Sequence, residues 1–316
     1  MLAQRLRNLI QSMVLVAGMV GLLLTLGWLF AGVYGMAWTL LVGIIPLVVS
    51  LRVLPALVLR MYKAKPLSVA EAPQLHAIVN QLSRRAGLAE PPRIHYIPSS
   101  APLIFSIGSG KGASVAVTDG LLRLLTVREL VGVLGHEVSH IGNSDTWVMS
   151  FADVVTRVTR LISLMGQVLV ILNLPLLILG EWSLPWIPLM LMLFAPIISA
   201  LLQLSLSRTR EFEADLSGSK LTGDPAGLAS ALGKLEEYQQ RVLKKSRLPG
   251  MKGIEPSLLR THPVTDERIK RLKEIVREMY PDDSMLVCPE DGGPCVPHHM
   301  AEVSRVPRRH LNGLWH

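Results

Sequence analysis

His136-Glu137-Val138-Ser139-His140 decides how this chain reads. Residues four apart on a helix share a face. His136 and His140 can therefore hold one metal ion together, with Glu137 beside its open coordination position. The surrounding residues support a helix. Thr126-Val127-Arg128-Glu129 has the form of a capping box, with Thr126 as N-cap and Glu129 at the third helical position. Leu130, Val131, Val133 and Leu134 then give the apolar period of a buried helix running through both histidines. Burial matters because a low dielectric strengthens a metal's pull on water and on a carbonyl. The plainer alternative, a satisfied helix with two incidental histidines, loses ground once a third ligand is found.

Arg210-Glu211-Phe212-Glu213-Ala214-Asp215 offers that ligand. Glu211 and Asp215 are four apart and share a helical face, whereas Glu213 points to roughly the opposite side. One face thus supplies a ligand, Glu211, and an acceptor, Asp215, that can orient a ligand histidine. Two histidines and one glutamate leave a fourth position for water, the arrangement of a catalytic zinc site with one ion per chain. Read without the histidines, the same acids would be a solvated surface.

With both elements in place, the chain resembles the M48 peptidases, and most closely the HtpX-type membrane-bound zinc metalloproteases. The resemblance runs from about Pro66 to Tyr280. It rests on His136 to His140 with Asn143 and Asp145 following, and on Glu211 to Asp215. Thr261-His262-Pro263 with Glu267-Arg268-Ile269 fits the family's later His-Pro segment, and Val115 to Leu122 fits the strand and turn ahead of the catalytic helix. The resemblance implies that Leu103, Ile104 and Phe105 form the strand that pairs with substrate. The family usually carries Asn-Ala-Phe there, so this chain lacks the asparagine and keeps only main-chain pairing. The resemblance also places His262, with Arg268 near it, at the cleft as the second electrophile for the oxyanion.

Composition adds a membrane. Half the residues are hydrophobic and mean hydropathy is +0.39, high for a soluble enzyme. No charged residue or histidine occurs from Asn8 to Leu51, a stretch that suits two helices with a tight turn near Ala31 to Gly35. Leu161 to Ser207 is interrupted only by Glu181, and reads as a second hairpin broken at Glu181-Trp182-Ser183-Leu184-Pro185, with Trp182 and Trp186 near the interface. Arg5, Arg7, Arg52, Arg60, Arg157, Arg160, Arg208 and Arg210 flank the hairpins, whose tips carry no Lys or Arg. The positive-inside rule then puts both termini and the catalytic segments in the cytoplasm. No cleavable signal peptide is expected, because the first apolar stretch runs straight into another. Glu211 follows Ser207 by four residues, which brings the site close to the bilayer surface. The net charge of +8 suits anionic lipid. It does not read as nucleic-acid binding, for the basic residues have no aromatic interleaving and form no recognisable module.

The fold class is therefore α+β: a mainly helical, membrane-anchored zincin of the gluzincin type, with a small β-sheet and four transmembrane helices in two hairpins. Residues 1–62 form the first hairpin, 63–160 and 208–282 the two parts of the protease domain, 161–207 the second hairpin, and 283–316 a tail. An amphipathic helix is expected over Pro66 to Gly87, strands over Arg93 to Pro98 and Ser114 to Thr118, and helices from Asp224-Pro225 and from Pro263 or Thr265. Gly108 to Gly112 reads as a hairpin turn; it lacks the residues of a phosphate loop. Cys288, Cys295, His298 and His299 match no strong zinc pattern, so the tail reads as flexible, with reduced thiols.

The mechanism these residues predict is zinc-assisted peptide hydrolysis, with His136, His140 and Glu211 as ligands and Glu137 as general base. The resemblance implies a quality-control endoprotease of a bacterial-type cytoplasmic membrane, acting on membrane or misfolded proteins. Two other readings are a narrow processing protease of the prenyl-protein peptidase type and a catalytically silent, metal-stabilised membrane scaffold. Glu137 argues against the scaffold, since a structural site has no use for it. An intramembrane protease would bury the histidines in an apolar run, but Arg128, Glu129, Asn143 and Asp145 surround them.

Overall fold

Two long apolar stretches that interrupt the rest of the chain leave it in two compact units. The computed structural model describes residues 2–175, 186–246, 265–279, 286–287 and 296–297. One unit comprises Met1–Leu54 and Trp147–Arg210, the other Pro55–Thr146 and Glu211–His316.

In the first unit, helix α1 (Leu2–Arg52) breaks at Ala31 and Gly32, and Gly32 has φ 59°, a conformation open to glycine. A Cβ on Gly35 would overlap the carbonyl of Gly27. In an unbroken helix these residues would stand about 12 Å apart, so the chain doubles back at the break. The turn thus falls where the sequence reads one. Met19 and Leu23 of α1 pack with Ala152, Val155 and Val158 and with Leu206. Large apolar side chains face outward, among them Val33, Tyr34, Ile45 and Ile171. That surface suits lipid and would be costly in water.

The sequence reads as four crossing helices. The described residues hold three helical runs long and apolar enough to cross a membrane: Leu6–Arg52, Asp145–Leu172 and Pro188–Thr222. The first of these runs is itself two helical halves that meet at Ala31 and Gly32, whose backbone is not helical. The second pair also outruns its apolar stretch at both ends. The expected interruption at Glu181 to Pro185 lies outside the described residues.

The second unit begins with helix α2 (Leu54–Met61) and is built around a four-stranded mixed sheet. Its strands are β1 (Lys65–Pro66), β2 (Arg93–Ile97), β3 (Ile104–Ile107) and β4 (Ser114–Thr118), in the order β1-β2-β4-β3. β2 and β4 run parallel, pairing Ile94 with Val115 and Tyr96 with Val117. β3 runs antiparallel to β4, Phe105 opposite Ala116, so the Gly108 to Gly112 segment closes a hairpin. Every β4 residue is buried, as a short apolar run in a central strand should be.

Helix α3 (Pro73–Arg85) starts seven residues later than the sequence suggests. Lys65 and Pro66 pair with Tyr96 and His95 instead, and Leu67 N donates to Ile94 O. Pro73 then supplies the fixed φ of a first helical turn. Beyond a short α4 (Asp119–Leu124) lie α5 (Val127–Gly142), α6 (Asp145–Leu172), α7 (Trp186–Thr222), α8 (Pro225–Ser246) and α9 (Thr265–Met279). Val133, Leu134, Val138, Leu216, Leu228, Leu232 and Leu272 join residues of the sheet in one core.

The approach of α7 to α5 depends on Gly218. A Cβ there would lie 2.9 Å from the His136 amide nitrogen and 3.0 Å from its Cα, backbone that cannot step aside. Alanine would recover about 1 kcal/mol of helix propensity, so valine is the cleaner probe. Gly218→Val is expected to lower stability by about 1–3 kcal/mol through overpacking. The thermal midpoint of the detergent-solubilised chain measures this, and an unchanged midpoint would show that the two helices have room to spare.

Candidate metal centre

Helix α5 presents the first two candidate ligands, and its start is fixed by local chemistry. Thr126 Oγ1 accepts from Glu129 N while Glu129 Oε2 accepts from Thr126 N at 2.8 Å, completing the capping box. Glu129 also accepts from Ser230 Oγ at 2.6 Å and Lys234 Nζ at 2.7 Å, both on α8. Burial pushes the Glu129 carboxyl up, but these donors outweigh it and hold its pKa below the ordinary glutamate value. Arg128 forks onto Asp224, which also accepts from Gly227 N and so caps α8. Local propensity begins the helix, and two part-buried ionic contacts orient it.

His136 Nε2 and His140 Nε2 lie 3.1 Å apart. Glu211 Oε2 is 3.5 Å from the first and Oε1 is 3.7 Å from the second. The other nitrogen of each ring meets a carboxylate, His136 Nδ1 with Asp215 at 2.9 Å and His140 Nδ1 with Asp145 at 2.8 Å. Those carboxylates accept from Nδ1–H and leave a lone pair on each Nε2. Two lone pairs this close repel unless a cation lies between them.

The spacing fits such a cation. Tetrahedral zinc bonds of about 2.0–2.1 Å place two ligand atoms roughly 3.3 Å apart, inside the range found here. His136, His140 and Glu211 can together hold a metal ion. Burial lowers the His136 pKa, yet the Asp215 and Glu211 carboxylates, against the opposing Arg268, raise it to about 10. The pocket thus demands positive charge at this ring, which a metal can supply in place of the proton. Asp215 shows the matching effect: burial raises its pKa, but Arg268 and His136 bring it down to about 2.

None of the three acids of the second motif is solvated. Glu211 is 7%, Glu213 3% and Asp215 3% exposed. Glu137 is buried on α5 and lines a cleft of about 410 Å³ with Leu103, Ile104, Val133, His136, Leu228, Leu232 and Arg268. β3 ends the sheet, so among the described residues no strand pairs with its outer edge. Leu103 N and O both bond to Thr118. Antiparallel alternation then turns the main-chain groups of Ile104 and Ser106 toward that edge, where an extended peptide could pair. The Phe105 ring lies 5.5 Å from Tyr62.

Sequence reasoning gave Asp145 no role of its own. It lies five residues past His140, off the helical period, and reaches Nδ1 only because Ser144 takes a left-handed φ of 58°. Arg268 is 3% exposed and bonds to both Glu211 and Asp215, a buried pairing and not a surface one. His262 lies outside the described residues, as do Cys288, Cys295, His298 and His299.

Two ring nitrogens and a carboxylate converging beside a glutamate, at a cleft edged by an open strand, define a metallopeptidase-type centre. Comparison with known proteins agrees. The model for peptidase family M48 matches residues 69–276, and the chain belongs to that family. It is 36% identical over 295 residues to the protease HtpX homolog of Pyrococcus furiosus, covering 85% of this chain and 96% of that one. To the protease HtpX homolog of Aquifex aeolicus it is 37% identical over 275 residues, or 82% and 90% of the two chains. The crystal structure of S. mikatae Ste24p aligns with a TM-score of 0.46 and 19% identity over 86% of this chain and 67% of that one.

Proposed function

We propose that this chain is a membrane-bound, zinc-dependent endopeptidase that hydrolyses peptide bonds of membrane or misfolded proteins at the cytoplasmic face. The observation that carries this reading is the convergence of His136, His140 and Glu211 beside Glu137 in a cleft next to an open strand edge. His136 Nε2, His140 Nε2 and Glu211 would hold the ion. When bound, zinc polarises water and the scissile carbonyl as a Lewis acid.

The chain's own residues do the rest. The outer edge of β3 aligns the peptide through main-chain pairing, and the apolar wall of Leu103, Ile104, Val133, Leu228 and Leu232 excludes bulk water. Glu137 takes a proton from the attacking water as the new C–O bond forms, then delivers it to the nitrogen as the C–N bond breaks. Asp215 and Asp145 keep each ligand ring turned with Nε2 toward the ion. Four crossings, made by the two halves of α1 and by α6 and α7, and arginines at the hairpin bases, would place this chemistry at the cytoplasmic surface.

The test is cleavage of unfolded casein by the detergent-purified chain, alone, with a zinc chelator, and after zinc is returned. Cleavage that the chelator stops and zinc restores is the expected result. A chain that binds zinc but leaves casein intact would count against a broad endopeptidase and favour narrow processing.

A further inference from the structure

Arg268 reaches the site from 53 residues beyond Asp215, and its guanidinium is committed on arrival. Nε and Nη2 fork onto the two oxygens of Asp215 at 2.8 and 2.7 Å. Nη1 lies 2.9 Å from Glu211 Oε2, an ion pair. The two-pronged pairing with Asp215 is buried, the setting in which an arginine fork fixes a carboxylate well.

From this geometry we infer that Arg268 is a positioning residue for the metal site: it holds Glu211 Oε2 so that the ion meets this ligand through Oε1 alone. A carboxylate with both oxygens open to a divalent ion can bind through one or two. Binding through two would fill the position that a hydrolytic site keeps for water. Arg268 pairs at 2.9 Å with Oε2, which also faces His136 Nε2 at 3.5 Å, and leaves Oε1 beside His140 Nε2 at 3.7 Å. Its fork on Asp215 serves the same end, because Asp215 also fixes the His136 ring. One guanidinium thus sets two ligands. An oxyanion in the cleft would have to draw it from two carboxylates, so the oxyanion role implied by family resemblance is not the one this geometry favours. The inference rests on the metallopeptidase reading for its metal, but its test does not need turnover.

Arg268→Lys keeps the charge and loses the fork, and Arg268→Gln keeps a donor without the charge. Each is compared with the full parent chain for zinc affinity, by competition with a chromophoric chelator, and for the visible spectrum of the cobalt-substituted protein. Far-UV circular dichroism establishes that at least one variant folds. Zinc binding is expected to weaken by about 10–100-fold, the usual loss when an outer partner of a ligand is removed. The cobalt bands should also lose intensity as Glu211 adds its second oxygen and coordination number rises. Parent affinity and an unchanged cobalt spectrum in a folded variant would overturn the inference, whatever happens to kcat. A parent chain that binds metal yet cleaves nothing would remove the peptidase reading and leave this one testable on the same readouts.

Discussion

Glu137→Gln should abolish peptide hydrolysis while leaving the metal in place. Glu137 lies between the two histidines but one residue off their shared face, and it lines the cleft rather than joining the converging donors. Glutamine is nearly isosteric and cannot accept the water's proton. A positioned base contributes about 10²–10⁴-fold, so kcat for casein should fall by at least the lower figure with KM little changed. Zinc content and affinity should match the parent, since no ligand is altered. Turnover within a few-fold of the parent would remove Glu137 from the mechanism.

Glu211→Gln should have the opposite signature, losing the metal as well as the activity. Glu211 is the anionic member of the candidate ligand set and is buried against Arg268. A neutral amide binds a divalent ion more weakly and meets Arg268 with less attraction. Metal linkage makes the effect large: a ligand at about a thousand times its Kd adds about 4 kcal/mol to folding stability. Added zinc should therefore raise the thermal midpoint of the parent and of Glu137→Gln, but not that of Glu211→Gln. A zinc-dependent rise equal to the parent's in Glu211→Gln would mean that another residue completes the site.

Much of this was legible in the residues because the controlling interactions are local. The capping box Thr126–Glu129 spans one helical turn, and the structure contains both of its hydrogen bonds. Strands β2 and β4 follow short β-prone segments bounded by turn residues, and α8 follows Asp224-Pro225. Where the reading slipped, a distant partner prevailed over local pattern. The helix expected from Pro66 gives way to β1 because Lys65 and Pro66 find the edge of β2 some thirty residues later. The acids at 211, 213 and 215 could have been a wet surface by composition alone, yet all are buried.

By itself, then, the sequence determined which helix carries the two histidines, that the chain is rich in membrane-length apolar helices, and which acids share a face. Each follows from helical periodicity, hydrophobic length or a capping motif, which act over a few residues. The tertiary structure alone decided that α7 lies close enough, at Gly218, to bring Glu211 within 3.5 Å of His136. It also decided that Asp145 turns back onto His140 through Ser144, and that Arg268 clamps two acids from another helix. Those contacts depend on helix packing and on one left-handed residue, and no periodicity in the chain encodes them.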